Sequence, residues 1–120
     1  MITILVITLL IGQLLAQHPW EPQYRNEDYF KNWHEQLMNQ TKMHGKEAQI
    51  VFLGDSITQG WRYSGAPIWD KFYAPRHAFN YGVGGDRTEN ILWRLANKEF
   101  DGVNPKVVVL MIGISIKYLK

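Results

Sequence analysis

The stretch from Val51 to Gly60, Val-Phe-Leu-Gly-Asp-Ser-Ile-Thr-Gln-Gly, constrains the fold of this chain more than any other. A short apolar run stops at a glycine, and an acid and a serine follow at once. A strand that ends in this way places the Ser56 hydroxyl at the carboxyl edge of a sheet, where ligands bind in open α/β sheets. Helix-terminal N–H groups there can receive a negatively charged oxygen. The pattern predicts half of a nucleophilic serine site, and the other half is a base that takes the proton.

The remaining chain alternates apolar strands with amphipathic helices. Three strands are predicted, at 49–53, 78–81 and 106–112. Three helices are predicted, at 26–45, 67–73 and 87–100. The third strand is apolar at five or six consecutive positions, which is typical of a parallel strand buried on both faces. This order predicts the beginning of a doubly wound α/β fold with a parallel sheet.

The two longer helices each show an apolar face. In the first, Phe30, Trp33 and Leu37 recur at helical spacing, and Asn26 is the expected N-cap. In the last, the residues expected to face the core are Ile91, Leu92 and Leu95. Both stripes predict helices that pack on the sheet rather than a cofactor site.

Composition limits the class of protein. A chain of 120 residues with 46% hydrophobic residues is at most one globular domain. The net charge is +2 without a basic stripe, which argues against a nucleic-acid partner. The absence of cysteine excludes disulfides and thiolate zinc sites. We expect no cofactor and no metal.

The first 17 residues carry no charged side chain and read as a secretory signal peptide. The alternative is a membrane anchor, although the apolar run is shorter than the ~20 residues that a spanning helix needs. The sequon at Asn39 fits a secreted chain. The predicted organisation is a signal peptide at 1–17, an extension and helix at 18–48, and a partial enzyme domain at 49–120.

Two blocks carry a family resemblance. Residues 54–60, Gly-Asp-Ser-Ile-Thr-Gln-Gly, and 80–88, Asn-Tyr-Gly-Val-Gly-Gly-Asp-Arg-Thr, resemble the first and second signature blocks of the SGNH (GDSL-type) hydrolases. The stretches at 90–95 and 101–113 are similar to the branch that holds the catalytic subunits of platelet-activating factor acetylhydrolase IB. The match covers about half of a family domain. It implies a flavodoxin-like, three-layer sandwich, truncated here to about three strands and their helices.

The resemblance also implies roles for residues. Ser56 would attack an acyl carbonyl, and the backbone N–H groups of Ser56 and Gly85 would stabilise the oxyanion. A glycine pair lets the backbone approach a ligand closely, in agreement with that role. Asp55 is interpreted as a turn-forming residue. Asp86 and Arg87 are expected to cap the next helix, with pairing across the pocket mouth as the alternative.

The sequence departs from the family pattern in two places. Ser115 stands where the third block has an oxyanion-binding asparagine, and its hydroxyl has a shorter reach. The last block, an aspartate three residues before a histidine, is absent from the 120 residues. The four histidines are interpreted as ordinary surface or core residues: His18, His34, His44 and His77. We therefore expect a truncated product with an open apolar sheet edge.

Three functional hypotheses follow. The first is a secreted serine esterase or acetylhydrolase acting on small acyl esters, such as lipid or sugar acetates, and inactive as written because it lacks the base. The second is a non-catalytic binding or partner module of the same fold, working as a homo- or heterodimer. The third is that the chain has no function as written.

Overall fold

A parallel sheet forms the centre of the computed structural model, which describes residues 18–115. Its three strands are β1 (Ile50–Gly54), β2 (Ala78–Gly82) and β3 (Val107–Met111). β1 lies in the middle and pairs with β2 on one side and β3 on the other. The predicted α/β class with a parallel sheet is confirmed. The predicted signal peptide at 1–17 lies outside the described residues, as do residues 116–120.

One long helix precedes the sheet, and shorter helices connect its strands. The α-helices are α1 (Asp28–His44), α2 (Ser56–Gln59), α3 (Ala66–Ile68) and α4 (Thr88–Ala96). Single turns of other helix types cover Gly45–Glu47, Gly60–Arg62, Trp69–Tyr73 and Ala74–Arg76. The helix predicted at 67–73 is therefore wrong as one element, because it divides into α3 and a π-helical turn. None of the helices among residues 18–115 is long and apolar enough to cross a bilayer.

Two predicted helix ends are also wrong. Glu27, not Asn26, is the N-cap of α1, and its side chain makes no capping hydrogen bond. The last helix ends at Ala96 instead of reaching residue 100. There the Asn97 side chain donates to the Trp93 carbonyl at 2.7 Å, and Lys98 takes a left-handed conformation with φ of 67°. That conformation is unfavourable for an L-residue inside a helix, so the chain turns away.

The main core lies between one face of the sheet and the helices α1 and α4. Its buried side chains include Phe30, Leu37, Val51, Leu53, Tyr81, Val83 and Ile91. The apolar stripe predicted for the first helix is confirmed, with Trp33 packed at its margin. Burying a side chain such as Leu37 contributes about 1.5–3 kcal/mol to stability. Leu95 was predicted to be buried as well, but it is 50% exposed.

The opposite face of the sheet is covered by aromatic rings. Phe52 of β1 points there and packs edge-to-face against Trp69 and Tyr73, at ring-centroid distances of 5.0 and 5.1 Å. Trp61 joins the group at 6.4 Å from Phe52. Edge-to-face pairs of this kind stabilise beyond the area that they bury. Helical segments therefore lie on both faces of the sheet, which gives the three layers expected.

The third strand differs most from its prediction. β3 was expected to be buried on both faces, yet all five of its residues are exposed, from 40% at Val109 to 58% at Leu110. It pairs only with β1, and within residues 18–115 no strand lies on its other side. An apolar cavity of about 190 Å³ lies beside it, lined by Leu53, Phe100 and Val108 among others. The open apolar edge that the sequence predicted is present.

Candidate functional site

The turn after β1 presents Ser56 to solvent. Asp55 is the N-cap of α2 and is buried, and its Oδ1 accepts a hydrogen bond from the Ile57 N–H at 2.9 Å. This confirms Asp55 as a turn-forming residue. Ser56 is the first residue of α2 and is exposed. A side chain at Gly54 would clash with the Met111 carbonyl and the Thr58 hydroxyl, so only glycine lets β1 end against both neighbours.

The loop after β2 lies at the same edge of the sheet. Gly54 and Gly82 are paired in register, and the Val83 N–H donates to the Gly54 carbonyl at 3.0 Å. A Cβ at Gly82 would clash with the backbone of Gln59, which shows how closely α2 packs on the end of β2. Ser56 and Gly85 therefore follow the ends of adjacent, aligned strands, where ligands bind in open α/β sheets.

Two backbone N–H groups at this edge have no acceptor among residues 18–115. The Gly84 N–H donates to Gln59 Oε1 at 3.0 Å, and the Asp86 N–H donates to the Val83 carbonyl at 3.2 Å. Gly85 between them is exposed, has φ of 79° and donates to no group in the described chain. The N–H of Ser56, at the start of a helix, is free in the same sense. Preorganised free N–H groups are what an oxyanion site requires.

Side chains from distant parts of the chain hold the glycine loop. Gln59 Oε1 accepts from the Gly84 N–H and also from the Tyr29 hydroxyl at 2.8 Å. On the other side, Arg25 Nη1 donates to the Gly84 carbonyl at 2.9 Å and to Asp86 Oδ1 at 2.7 Å. The peptide groups around Gly85 are thus fixed from both directions. Sequence reasoning missed Gln59, Arg25 and Tyr29, and no local pattern marks them.

A buried ion cluster lies beneath the loop. Arg94, Asp86 and Glu99 are fully buried. Arg94 donates to Asp86 Oδ2 at 2.8 Å, to the Tyr81 carbonyl at 2.7 Å and to the Glu99 carboxylate. Burial raises the pKa of the Asp86 carboxyl, and the Arg94 and Arg25 guanidinium groups oppose that rise. Burial alone would lower the pKa of Arg94, but Glu99 and Asp86 raise it overall.

This cluster corrects the role predicted for Asp86. Its carboxylate binds arginine rather than capping α4. Arg87 does occupy the N-cap position, where its backbone N–H donates to Asn90 Oδ1 at 2.9 Å. A usable signal for Arg94 was its position three residues after Ile91, which places it on the buried face of the helix.

Ser115 lies beyond the end of β3. Met111 pairs with Gly54, so the residues after β3 also leave the sheet at the edge that carries Ser56. Ser115 is half-buried, in a turn that follows Gly113 with its φ of 117°. Its hydroxyl makes no hydrogen bond within the described part of the chain. The three candidate residues thus share one edge of the sheet, and their catalytic roles stay predictions.

None of the four histidines pairs with Ser56 in the described residues. His34 Nδ1 lies 2.6 Å from Glu99 Oε2, and His44 Nδ1 lies 3.3 Å from Glu47 Oε1. His77 precedes β2, at the opposite end of the sheet, and His18 stacks on Trp20. None of the four forms a hydrogen bond with Ser56 in residues 18–115. No cluster of three metal-ligating side chains was found within that range.

Comparison with known proteins agrees with this geometry. The family model described as GDSL-like Lipase/Acylhydrolase matches residues 52–115. The chain belongs to this family. The SGNH (GDSL-type) resemblance of its two glycine-containing blocks is thereby confirmed. The matched range holds Ser56, the glycine loop and Ser115, so the candidate site lies inside the family domain.

Curated relatives include subunits of platelet-activating factor acetylhydrolase IB. Platelet-activating factor acetylhydrolase IB subunit alpha1 of Homo sapiens is 44% identical over 68 residues, which are 57% of this chain and 29% of that protein. Subunit alpha2 of Rattus norvegicus is 43% identical over 68 residues, with shares of 57% and 29%. The match therefore spans less than a third of the length of these relatives.

Proposed function

We propose that this GDSL-like chain carries the nucleophile and oxyanion half of an acyl-ester hydrolase. The Ser56 hydroxyl would attack the ester carbonyl, and the N–H groups of Ser56 and Gly85 would receive the developing oxyanion. Ser115 would supply a third donor. The observation that carries the proposal is the pair of N–H groups without acceptors at one edge of the sheet. The names of the relatives favour acetyl esters, of which lipid or sugar acetates are examples.

The proposed reaction also needs a base that accepts the proton of Ser56. Attack by Ser56 requires a base within hydrogen-bonding distance of the hydroxyl. The 120 residues contain no aspartate three residues before a histidine, and none of the four histidines forms a hydrogen bond with Ser56 within residues 18–115. We therefore propose that these residues alone do not turn over esters, since the oxyanion site without its base supplies only residual catalysis.

Chemical rescue tests both the proposed nucleophile and the proposed lack of a base. The release of p-nitrophenol from p-nitrophenyl acetate would be compared between the chain and Ser56→Ala, with and without imidazole as an external base. We expect equal rates without imidazole and a Ser56-dependent excess with it. Ser64→Ala, at another exposed serine, is the matched control and should retain the excess. If imidazole gives the parent chain no higher rate than Ser56→Ala, the assignment of Ser56 as the nucleophile is wrong. A Ser56-dependent rate without imidazole would show that a base is present.

A second candidate function is that of a partner module. It is favoured by β3, whose five apolar residues are exposed and whose outer edge is unpaired within residues 18–115. Such an edge is a template for pairing, and we propose that it pairs with a second copy of the chain. Native mass measurement should then find a dimer. Val109→Lys on β3 should give a monomer, whereas Met43→Lys, at an exposed position on α1, should not. A monomer at all concentrations would exclude this candidate.

We also propose secretion, with removal of residues 1–17. The support is the stretch 1–17, which has no charged side chain, and the exposed Asn39 of the sequon. The mass of the product released by secretory cells should correspond to a chain that begins near residue 18. An intact chain retained in the membrane fraction would favour the anchor instead.

A further inference from the structure

A second cavity, of about 410 Å³, lies at the outer edge of β2. We call it the β2-edge cavity. The Gln49 N–H donates to the His77 carbonyl, and the Val83 N–H donates to the Gly54 carbonyl. The backbone N–H and C=O groups of odd-numbered residues in β2 therefore point towards β1. Those of Asn80 point the other way, towards the cavity. Pockets that bind small molecules have about this volume.

This cavity is separate from the candidate catalytic edge. The residues of β2 that line it are Ala78, Phe79 and Asn80, at the start and middle of the strand. Ser56 and Gly85 lie beyond the other end of β2 and do not line it. A ligand here would occupy its own site.

The walls combine flat apolar surface with one cation. Trp61, Trp69 and Phe79 are its aromatic lining residues. Arg62 supplies the charge, and it forms no ion pair with any acidic side chain among residues 18–115. A partly buried cation without a counter-ion is unfavourable, because burial removes the water that would solvate it. Burial accordingly lowers the pKa of Arg62.

The guanidinium is held in place rather than free to leave. It donates through Nη2 to the outward carbonyl of Asn80 and lies over the Trp33 ring, 5.2 Å from its centroid. Its Nε is buried and has no acceptor in the described chain. A ligand with a negative charge would supply the counter-ion that Arg62 lacks.

We propose that the β2-edge cavity binds a small carboxylate with a flat apolar body, with the carboxylate on Arg62 and the body against the aromatic lining residues. Asp70, which is exposed and also lines the cavity, lies on the solvent side. Its negative charge opposes an anion. Arg62 and Asp70 therefore affect affinity in opposite directions.

Phenylacetate is a suitable probe, and phenylacetamide is its uncharged match. Titration of the full chain, followed by tryptophan emission and calorimetry, should show phenylacetate binding about tenfold or more tightly than the amide, because a charge-assisted hydrogen bond is stronger than a neutral one. Inorganic phosphate, which lacks an apolar body, should bind more weakly than phenylacetate. Equal affinity for acid and amide, no saturation by phenylacetate, or a preference for phosphate would each overturn the proposal.

Variants locate the binding. Arg62→Met should abolish the preference for the acid, whereas Arg76→Met, at an exposed arginine of the same crossover, should retain it. Since Arg62→Met also removes the contact with Asn80, its circular dichroism must match the parent chain. Asp70→Asn provides an independent test that leaves the interior untouched, and it should tighten phenylacetate binding several-fold. An unchanged or weaker affinity in Asp70→Asn would contradict the proposed site. Ser56→Ala should bind like the parent, which separates this result from the proposed hydrolase chemistry.

Discussion

The glycine loop after β2 and the strand β3 flank the same central strand but differ in almost every physical respect. The side chains of Gln59 and Arg25 hold the loop from two directions, above a fully buried arginine. β3 is apolar throughout and exposed throughout. The loop carries a charged residue, Asp86, that is fully buried, whereas the strand carries only apolar residues, all of them exposed. Composition alone would predict that Asp86 is exposed and that β3 is buried. The structure shows the opposite, because burial depends on the neighbours that each region has.

The largest expected effect lies beneath the loop, at Arg94. Arg94→Met leaves the carboxylates of Asp86 and Glu99 buried without their cation, and we expect a loss of about 3–5 kcal/mol in the free energy of unfolding. Urea denaturation followed by circular dichroism measures it. Arg87→Ala, which removes a partly exposed pair with Glu89, should cost less than about 1 kcal/mol. Similar losses in the two variants would mean that the cluster does not stabilise the loop.

Two leucines give the next comparison. Leu37→Ala in the core should destabilise the fold by about 2–5 kcal/mol, because the side chain is buried and its removal leaves a cavity. Leu110→Ala on β3 should change the free energy of unfolding by less than about 0.5 kcal/mol, as expected at an exposed site. The same urea experiment applies. A large loss at Leu110 would indicate that β3 is covered in solution.

Substitutions at two glycines compare a strained backbone position, Gly85, with an unstrained one, Gly60. Gly85→Ala places a Cβ at φ of 79°, which should destabilise by about 1–2 kcal/mol. Gly60→Ala has helical backbone angles and open space around the new methyl group, so it should stabilise by about 0.4–1 kcal/mol. Thermal unfolding of both variants should therefore shift in opposite directions. Shifts of the same sign would show that the loop does not keep this conformation.

The smallest expected effect is a pH dependence from Tyr81. Burial raises the pKa of its hydroxyl, which forms a 2.7 Å hydrogen bond with Thr41. Because the folded pKa exceeds the unfolded one, this stabilising contribution is present below about pH 10 and is lost as the pH rises through the folded pKa. The parent chain should lose unfolding free energy above that pH more steeply than Tyr81→Phe. Tyr63→Phe, at an exposed tyrosine, should follow the parent.

The sequence predicted the features that depend on local pattern. Apolar runs located the three strands within one or two residues, and the helical stripe located Phe30 and Leu37 in the core. The Gly-Asp-Ser turn placed Ser56 at a strand end, because a strand that stops at glycine and acid has few alternatives. Backbone rules act over a few residues, so they can be read without the fold.

The errors arose where distant residues decide the outcome. The prediction that Asp86 caps a helix rests on the preference for acids at that position, but Arg25 and Arg94 bind its carboxylate from other elements. The prediction that β3 is buried rests on its continuous apolar run, whereas burial depends on neighbours that a run cannot specify. The prediction that Leu95 is buried is wrong for the same reason. Arg62 offered no signal, since a lone arginine after a short helix is ordinary in sequence.

One amide oxygen, Gln59 Oε1, holds both the first long helix and the glycine loop, through Tyr29 and Gly84. A tilt of α1 would therefore pull on the peptide group beside Gly85. Gln59 is also the last residue of the short helix that begins with Ser56. The Gln59 side chain thus connects α1, the turn that carries Ser56 and the glycine loop. A partner that displaced α1 would therefore also displace the residues at this edge of the sheet.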